Sequence, residues 1–286
     1  IDESTTIKNR KASRTKNLLQ LSKYAKYKRI LTGSPVTKSP MDLYSQCAFL
    51  DGAALDQPSY FTFQNRYAVV QKRYMGARSF NEITGYRRLD ELNEKLNKFS
   101  VRVLKEDCLD LPEKIYIKRN VPLTAEQTKL YAQMKQYALA KLDRDQLATT
   151  SSVLTQIMRL QQICCGYLMS DEGQLKVLDN NRMTELLAAI EECSGKIIIW
   201  CNYTHDIKEI EKTLSSKYGG DSVATYYGET KQEDRQATVD KFQDIHSPLR
   251  FFVGQPKTGG YGITLTAANT MIYYSNSYDL EIRLQS

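Results

Sequence analysis

The feature that most restricts the fold is a run of five residues, Lys196-Ile197-Ile198-Ile199-Trp200, with almost nothing polar in it. A strand that reads as a continuous apolar run is one buried on both faces, as in a parallel sheet covered by helices. The surrounding sequence repeats the same alternation. A helix follows with Ile207, Ile210 and Leu214 on one face, capped by Thr204 or Asp206 and stopped by Gly219-Gly220. Ser222–Tyr227 reads as a second strand, and Lys231–Gln243 as a polar helix with Ala237 and Phe242 turned inward. Leu249–Val253 and Thr270–Tyr274 complete the strands. Strand-helix-strand-helix-strand implies an α/β fold with a parallel sheet and right-handed crossovers. Ligands of such sheets sit beyond the carboxyl ends of the strands, so the residues after each strand are the informative ones.

The preceding sequence has another texture. Leu92, Leu96 and Phe99 fall at helical spacing, as do Leu130, Met134, Tyr137 and Leu142, and Ile157, Leu160 and Ile163. These are packing faces of helices. Leu111–Val121, bracketed by Pro112 and Pro122, reads as an extended connector. Ile30-Leu31-Thr32-Gly33-Ser34-Pro35 reads as a buried strand leaving into a turn.

Composition sets outer limits. At 286 residues the chain has room for two domains, and no apolar run is long enough to span a membrane. The net charge of +7 fits a polyanionic partner without requiring one. The six cysteines form no C-x-x-C pair and there are two histidines, so a zinc site is not expected and the thiols read as reduced, buried apolar residues.

Three segments carry chemistry. Asp2-Glu3 follows an apolar residue, the placement by which a nucleotide hydrolase sets two carboxylates at a magnesium phosphate site: Asp2 toward Mg²⁺, Glu3 toward the attacking water. The Thr32-Gly33-Ser34 turn suits a relay from those carboxylates, though the residues alone fit a plain strand-to-turn exit better. Lys257-Thr258-Gly259-Gly260-Tyr261-Gly262 follows a strand and is expected to precede a helix, with glycines that let backbone N–H groups approach a phosphate. The basic run Lys8, Asn9, Arg10, Lys11, Arg14, Lys16 is either a phosphate-contacting strip or a solvated face.

In order and spacing, these segments resemble the Swi/Snf-like branch of superfamily-two helicases. Asp2-Glu3-Ser4-Thr5 with Lys8-Asn9 is similar to motif II, and Leu31–Pro35 to motif III. Thr155–Cys165 resembles the helix leading into the second lobe, Lys196–Tyr203 motif IV, and Val253–Leu265 with Ala267-Ala268-Asn269 motif V. Tyr227–Thr230 resembles the block between them, and Leu284-Gln285 the start of motif VI. The roughly 160 residues between the Thr-Gly-Ser-Pro turn and the Lys196 strand match the long helical insertions of this branch.

The resemblance implies two RecA-like P-loop NTPase lobes, the first only partly present, with helical insertions between them. The implied divisions are 1–45 for lobe 1, 46–110 for its helical protrusion and 111–123 for a connector; 124–174 is then the helical protrusion of lobe 2 and 175–286 lobe 2 itself. It implies ATP and Mg²⁺ as cofactors, double-stranded DNA as partner, and an ATP-driven duplex translocase as activity; a strand-separating helicase and a catalytically dead binding scaffold are the alternatives. Asp2 and Glu3 become the catalytic and magnesium residues, Thr32, Gly33 and Ser34 the coupling turn, and Gly262 and Gln285 nucleotide-binding. Lys8, Asn9, Asn202, Tyr203, Lys257, Thr258, Gly259 and Gly260 become DNA contacts. The family's phosphate loop and arginine fingers fall outside this sequence, so the chain alone is expected to hydrolyse no ATP at a useful rate. A monomer in the cytoplasm of a bacterium or phage host is expected, with the nucleus as alternative.

Overall fold

The structure, a computed structural model, describes residues 1–75, 78–108, 110, 113–144, 150–170, 173–260 and 262–286. Leu111, Pro112 and Tyr261 lie outside them, as does the side chain of Leu142. The chain divides into two compact units, Ile1–Ile115 and Tyr116–Ser286. No helix among the described residues is long and apolar enough to cross a membrane.

The first unit contains α1 (Ser13–Leu21), α2 (Leu43–Leu50), α3 (Tyr60–Tyr67), β1 (Ala68–Met75), β2 (Arg78–Tyr86), α4 (Leu89–Asn97) and a short α5 (Lys105–Cys108). Its core gathers Met41, Leu43 and Cys47 with Leu55, Phe63, Tyr67 and Leu92. Within the stretch 46–110, expected as a helical protrusion, β1 and β2 form an antiparallel ribbon beside the helices, with Val70 opposite Ile83 and Tyr74 opposite Ser79. Val69, Val70, Tyr74, Phe80, Ile83 and Thr84 are β-branched or aromatic, and that local preference prevails. Phe99, expected in the core, is exposed.

The buried strand expected at Ile30-Leu31 is also corrected. No strand forms, and Leu31 is 65% exposed. Leu31 N–H donates to Ile1 O and Ser4 N–H donates to Leu31 O. Between these bonds Glu3 takes a left-handed conformation (φ 49°, ψ 58°), which inserts an extra residue and breaks the ladder.

The second unit opens with α6 (Ala125–Arg144) and α7 (Thr150–Cys165), then a small hairpin of β3 (Tyr167–Met169) and β4 (Leu175–Val177). Tyr137, expected on the packing face of α6, is exposed. Next come α8 (Arg182–Glu191), β5 (Lys196–Trp200), α9 (Thr204–Tyr218), β6 (Val223–Tyr226), α10 (Gln232–Gln243), β7 (Phe251–Gly254), α11 (Pro256–Gly259), β8 (Ala268–Tyr273) and α12 (Leu280–Gln285). The sheet order is β6-β7-β5-β8, with every pairing parallel.

Alternate residues of the central strands serve opposite layers. Ile197, Ile199, Phe251 and Val253 pack with Ile207, Ile210 and Leu214 of α9 and with α8. Ile198, Trp200 and Phe252 pack with Val239 and Phe242 of α10. Both faces are therefore covered, which is why the central strands carry no polar residue beyond Lys196 at the start of β5. Ala237 is exposed, two residues and so roughly 200° round the helix from buried Val239, which takes the inward place assigned to it. Gly219 ends α9 at φ 93°, a conformation open to glycine without strain.

Candidate nucleotide and nucleic-acid half-sites

In the first unit the acidic pair stands at the start of the chain. Asp2 Oδ1 accepts the Glu3 N–H at 2.9 Å, and Asp2 remains exposed. A left-handed non-glycine residue costs roughly 1–2 kcal/mol. The segment immediately after Glu3 holds it there. Ser4, fully buried, donates from Oγ to Gln46 Oε1 at 2.7 Å. The Gln46 amide in turn donates to Pro35 O at 2.8 Å and to Asp42 O at 2.9 Å. One glutamine, 1% exposed, thus ties the acidic segment, the end of the Thr32–Pro35 turn and the start of α2 together.

Thr32 and Ser34 close the turn on themselves, Ser34 N–H donating to Thr32 Oγ1 at 3.2 Å, and Gly33 stands in open space. Lys8 Nζ donates to Thr37 Oγ1 at 2.7 Å, and Thr37 in turn donates to Asp42 Oδ2. Lys8 is thereby braced against the loop that follows the turn. Asn9 Oδ1 accepts Lys11 N–H at 3.0 Å, closing a local turn ahead of α1. Arg10 stacks over Tyr60 at 4.3 Å and over Phe61 at 5.2 Å.

In the second unit, three strand ends are joined by one hydrogen-bonded chain. Asn202, after β5, donates its N–H to Ser275 Oγ at 2.8 Å, and Ser275, after β8, donates to Asp206 Oδ2 at 3.1 Å. Asn202 O accepts from Gln255 Nε2, after β7, at 3.4 Å. Asp206 therefore does not cap α9: no side chain caps that helix, and neither Thr204 nor Asp206 does so. It lies buried beneath the strand ends, and burial raises its carboxyl to about 6 against the opposing bond from Ser275 and the charge of Arg182. Tyr203 is half-buried, donates from its hydroxyl to Gln161 Oε1 at 2.9 Å and packs edge-on to Tyr167. Burial pushes its hydroxyl up to about 12.

The glycine-rich loop after β7 does not lead into a long helix. Pro256–Gly259 is itself the one-turn α11, and the chain then runs to β8. Lys257 is exposed at its surface and Thr258 half-buried. Two of the glycines answer to packing rather than to a ligand. A Cβ on Gly254 would stand 2.7 Å from Tyr226 O, and one on Gly259 would stand 2.8 Å from the Trp200 ring. Gly260 is confined by Pro256 O at 2.5 Å. Gly262 differs: its φ is 70° and nothing approaches its Cβ position, so this glycine answers to backbone conformation. Gln285, on α12, and Gly259 line one groove of about 290 Å³ with Trp200 and Thr264–Thr266, while Gly262 stands outside it.

The candidate residues thus fall into two sets. Asp2, Glu3, Lys8, Asn9 and Thr32–Ser34 gather in the first unit. Asn202, Tyr203, Lys257–Gly260 and Gln285 gather at the carboxyl ends of β5 and β7 and on α12. The sequence reading missed Gln46, Gln255, Asp206 and Ser275. The lone glutamine within the apolar stretch Leu43–Leu50 was the signal for a buried, bonded side chain.

A parallel sheet covered on both faces, with polar loops at its carboxyl edge, defines an open α/β domain whose ligand edge is that carboxyl edge. The SNF2-related domain model matches residues 1–168, and the helicase conserved C-terminal domain model matches residues 180–286. The chain belongs to the SNF2-related domain family. Its relatives include YwqA of Bacillus subtilis, which goes by a helicase/translocase name and is 26% identical over 301 residues, covering 100% of this chain and 30% of that protein. The CHD3-type chromatin-remodeling factor CHR7 of Arabidopsis thaliana is 24% identical over 302 residues, covering 100% of this chain and 23% of its own length. The chain therefore spans less than a third of either relative. Among solved structures, the Sulfolobus solfataricus SWI2/SNF2 ATPase core domain superposes with a TM-score of 0.50 at 24% identity, over 89% of this chain and 52% of that one. This likeness shows the fold: RecA-like α/β lobes with insertions.

Proposed function

We propose that this chain belongs to an ATP-driven motor that translocates on double-stranded DNA. The observation that carries the proposal is the pairing of family membership with the Ser4–Gln46–Pro35 bridge, which couples the acidic pair to the Thr32–Ser34 turn. The bridge gives the acidic segment a hydrogen-bonded path to the turn.

Two adjacent carboxylates suit Mg²⁺, which is held through one or two carboxylates together with substrate phosphates. Asp2 would hold the metal, which when bound neutralises charge on the transferring phosphoryl group. Glu3 accepts the proton of the attacking water, and its left-handed backbone fixes where that carboxylate starts. Gly262 offers backbone N–H to phosphate, and Gln285 lies on the groove wall beside Gly259. Lys257 and Thr258 offer a charge and a hydroxyl to one DNA strand, and Lys8 and Asn9 border the acidic pair. Contacts of this kind bind backbone without reading sequence, which suits a translocase.

The test is steady-state ATP hydrolysis by the intact protein, with and without linear duplex, beside Glu3→Gln. Stimulation by duplex over single strands, abolished by the substitution, is expected. Preference for single strands points to a strand-separating helicase, and absence of hydrolysis to a binding scaffold.

A further inference from the structure

Between Lys8 and Arg29 the chain carries nine basic residues and no acidic one. The whole chain nets +7, so everything outside this segment nets −2. The positive potential of the molecule is therefore concentrated on α1 and on the turn behind it. Apart from Lys8, none of these nine forms an ion pair with a carboxylate among the described residues. Arg10 is engaged with Tyr60 and Phe61, but Lys11, Arg14, Lys16, Lys23, Lys26 and Arg29 stand exposed.

The far end of the strip has its own chemistry. Lys23-Tyr24-Ala25-Lys26-Tyr27-Lys28-Arg29 alternates cations with two tyrosines that are 87% and 83% exposed. Lys26 Nζ lies 5.4 Å from the Tyr27 ring. Thr15 and Ser22, one heptad apart, are buried on one side of α1 and its extension, and Thr15 donates to Ile7 O, so the opposite side faces solvent along its length. Nine helical residues extend about 13 Å, and duplex DNA carries a charge per about 1.7 Å of axis, so the strip and the turn together reach several phosphates.

We infer that the Lys23–Arg29 turn is a second phosphate-backbone contact for duplex DNA, separate from the residues beside the acidic pair. The reading rests on the proposed DNA partner and extends its footprint to the end of α1. The lysines supply charge, and the exposed tyrosines lie against sugar and phosphate, where a ring covers apolar sugar surface and a hydroxyl donates to oxygen.

The test is filter binding of the intact protein to a labelled duplex from 0.05 to 0.3 M salt, comparing Lys23→Ala/Lys26→Ala with the unaltered protein. A Lys212→Ala/Lys241→Ala pair removes the same charge from exposed positions elsewhere. Losing two phosphate contacts should lower the slope of log K against log salt by about 1.8 and weaken binding about 30-fold at 0.15 M. Duplex-stimulated hydrolysis at saturating DNA should persist. Tyr24→Ala/Tyr27→Ala should weaken binding without changing the slope. An unchanged slope for the Lys23/Lys26 pair, with stimulation intact, overturns the second contact and leaves the motor reading standing. So does an equal loss in the control pair, or a loss confined to anionic phospholipid vesicles. An unaltered protein that binds no duplex overturns both.

Discussion

Asp206→Asn isolates the cost of burying a carboxylate beneath the strand ends. Burial lifts the Asp206 carboxyl from an ordinary 3.8 to about 6. That difference corresponds to about 3 kcal/mol between its two protonation states. A carboxyl that holds its proton more tightly when folded favours folding most where it is protonated. Its contribution is complete below pH ~4 and is lost as pH rises through about 6, after which the ionised group persists at a cost of about 3 kcal/mol. Asparagine keeps an oxygen to accept from Ser275 and cannot ionise. Urea unfolding followed by circular dichroism from pH 4 to 8 should give converging stabilities at pH 4, and Asp206→Asn more stable by up to about 3 kcal/mol at pH 7.5. For a domain the size of the second unit, that is roughly 6–12 °C in Tm. Parallel pH curves for the two proteins would refute the burial argument, because no other site differs between them.

Three further outcomes follow from the packing. Gln46→Leu leaves the Ser4 hydroxyl and the Pro35 and Asp42 carbonyls without their partner, and should destabilise the first unit by roughly 3 kcal/mol in the same unfolding assay. Gly259→Ala drives a methyl into the Trp200 ring and should cost about 1–3 kcal/mol, read as a lowered Tm. Glu91 is held down to about 2 by a two-bond pairing with Arg66, assisted by Tyr67 and Lys95, so its contribution is present above pH ~4.5 and lost as pH falls toward 2. Glu91→Gln should flatten acid unfolding across that interval.

The second unit was legible because its signal is dense. Three consecutive isoleucines before Trp200 and the Ile207-Ile210-Leu214 stripe admit one arrangement, and those residues are buried in it. The ribbon of β1 and β2 was not legible: most of its residues face solvent, so it shows no burial alternation to distinguish strand from exposed helix. The Leu31 strand was over-read for a related reason. An apolar pair before a turn looks like a strand end, and the left-handed residue that interrupts its pairing, Glu3, lies 28 positions away. At the candidate site, residue types pointed to these loops but did not disclose what packing demands of them. Gly259 is dictated by an indole ring, and Gly254 by the Tyr226 carbonyl and that same ring, which only the folded sheet brings beneath them, and Asp206 passed for a cap because its partner Ser275 is 69 residues distant.

Trp200 is the single tryptophan of the chain and is 1% exposed. Its ring lies under Gly254 and Gly259, at the root of the loop that carries Lys257 and Thr258. It is a built-in optical probe, with no second indole among these 286 residues to dilute it. A shift of that loop by even a fraction of an ångström changes the contacts on one fluorophore, so its emission reports loop movement in real time, without a label and without waiting for product to form.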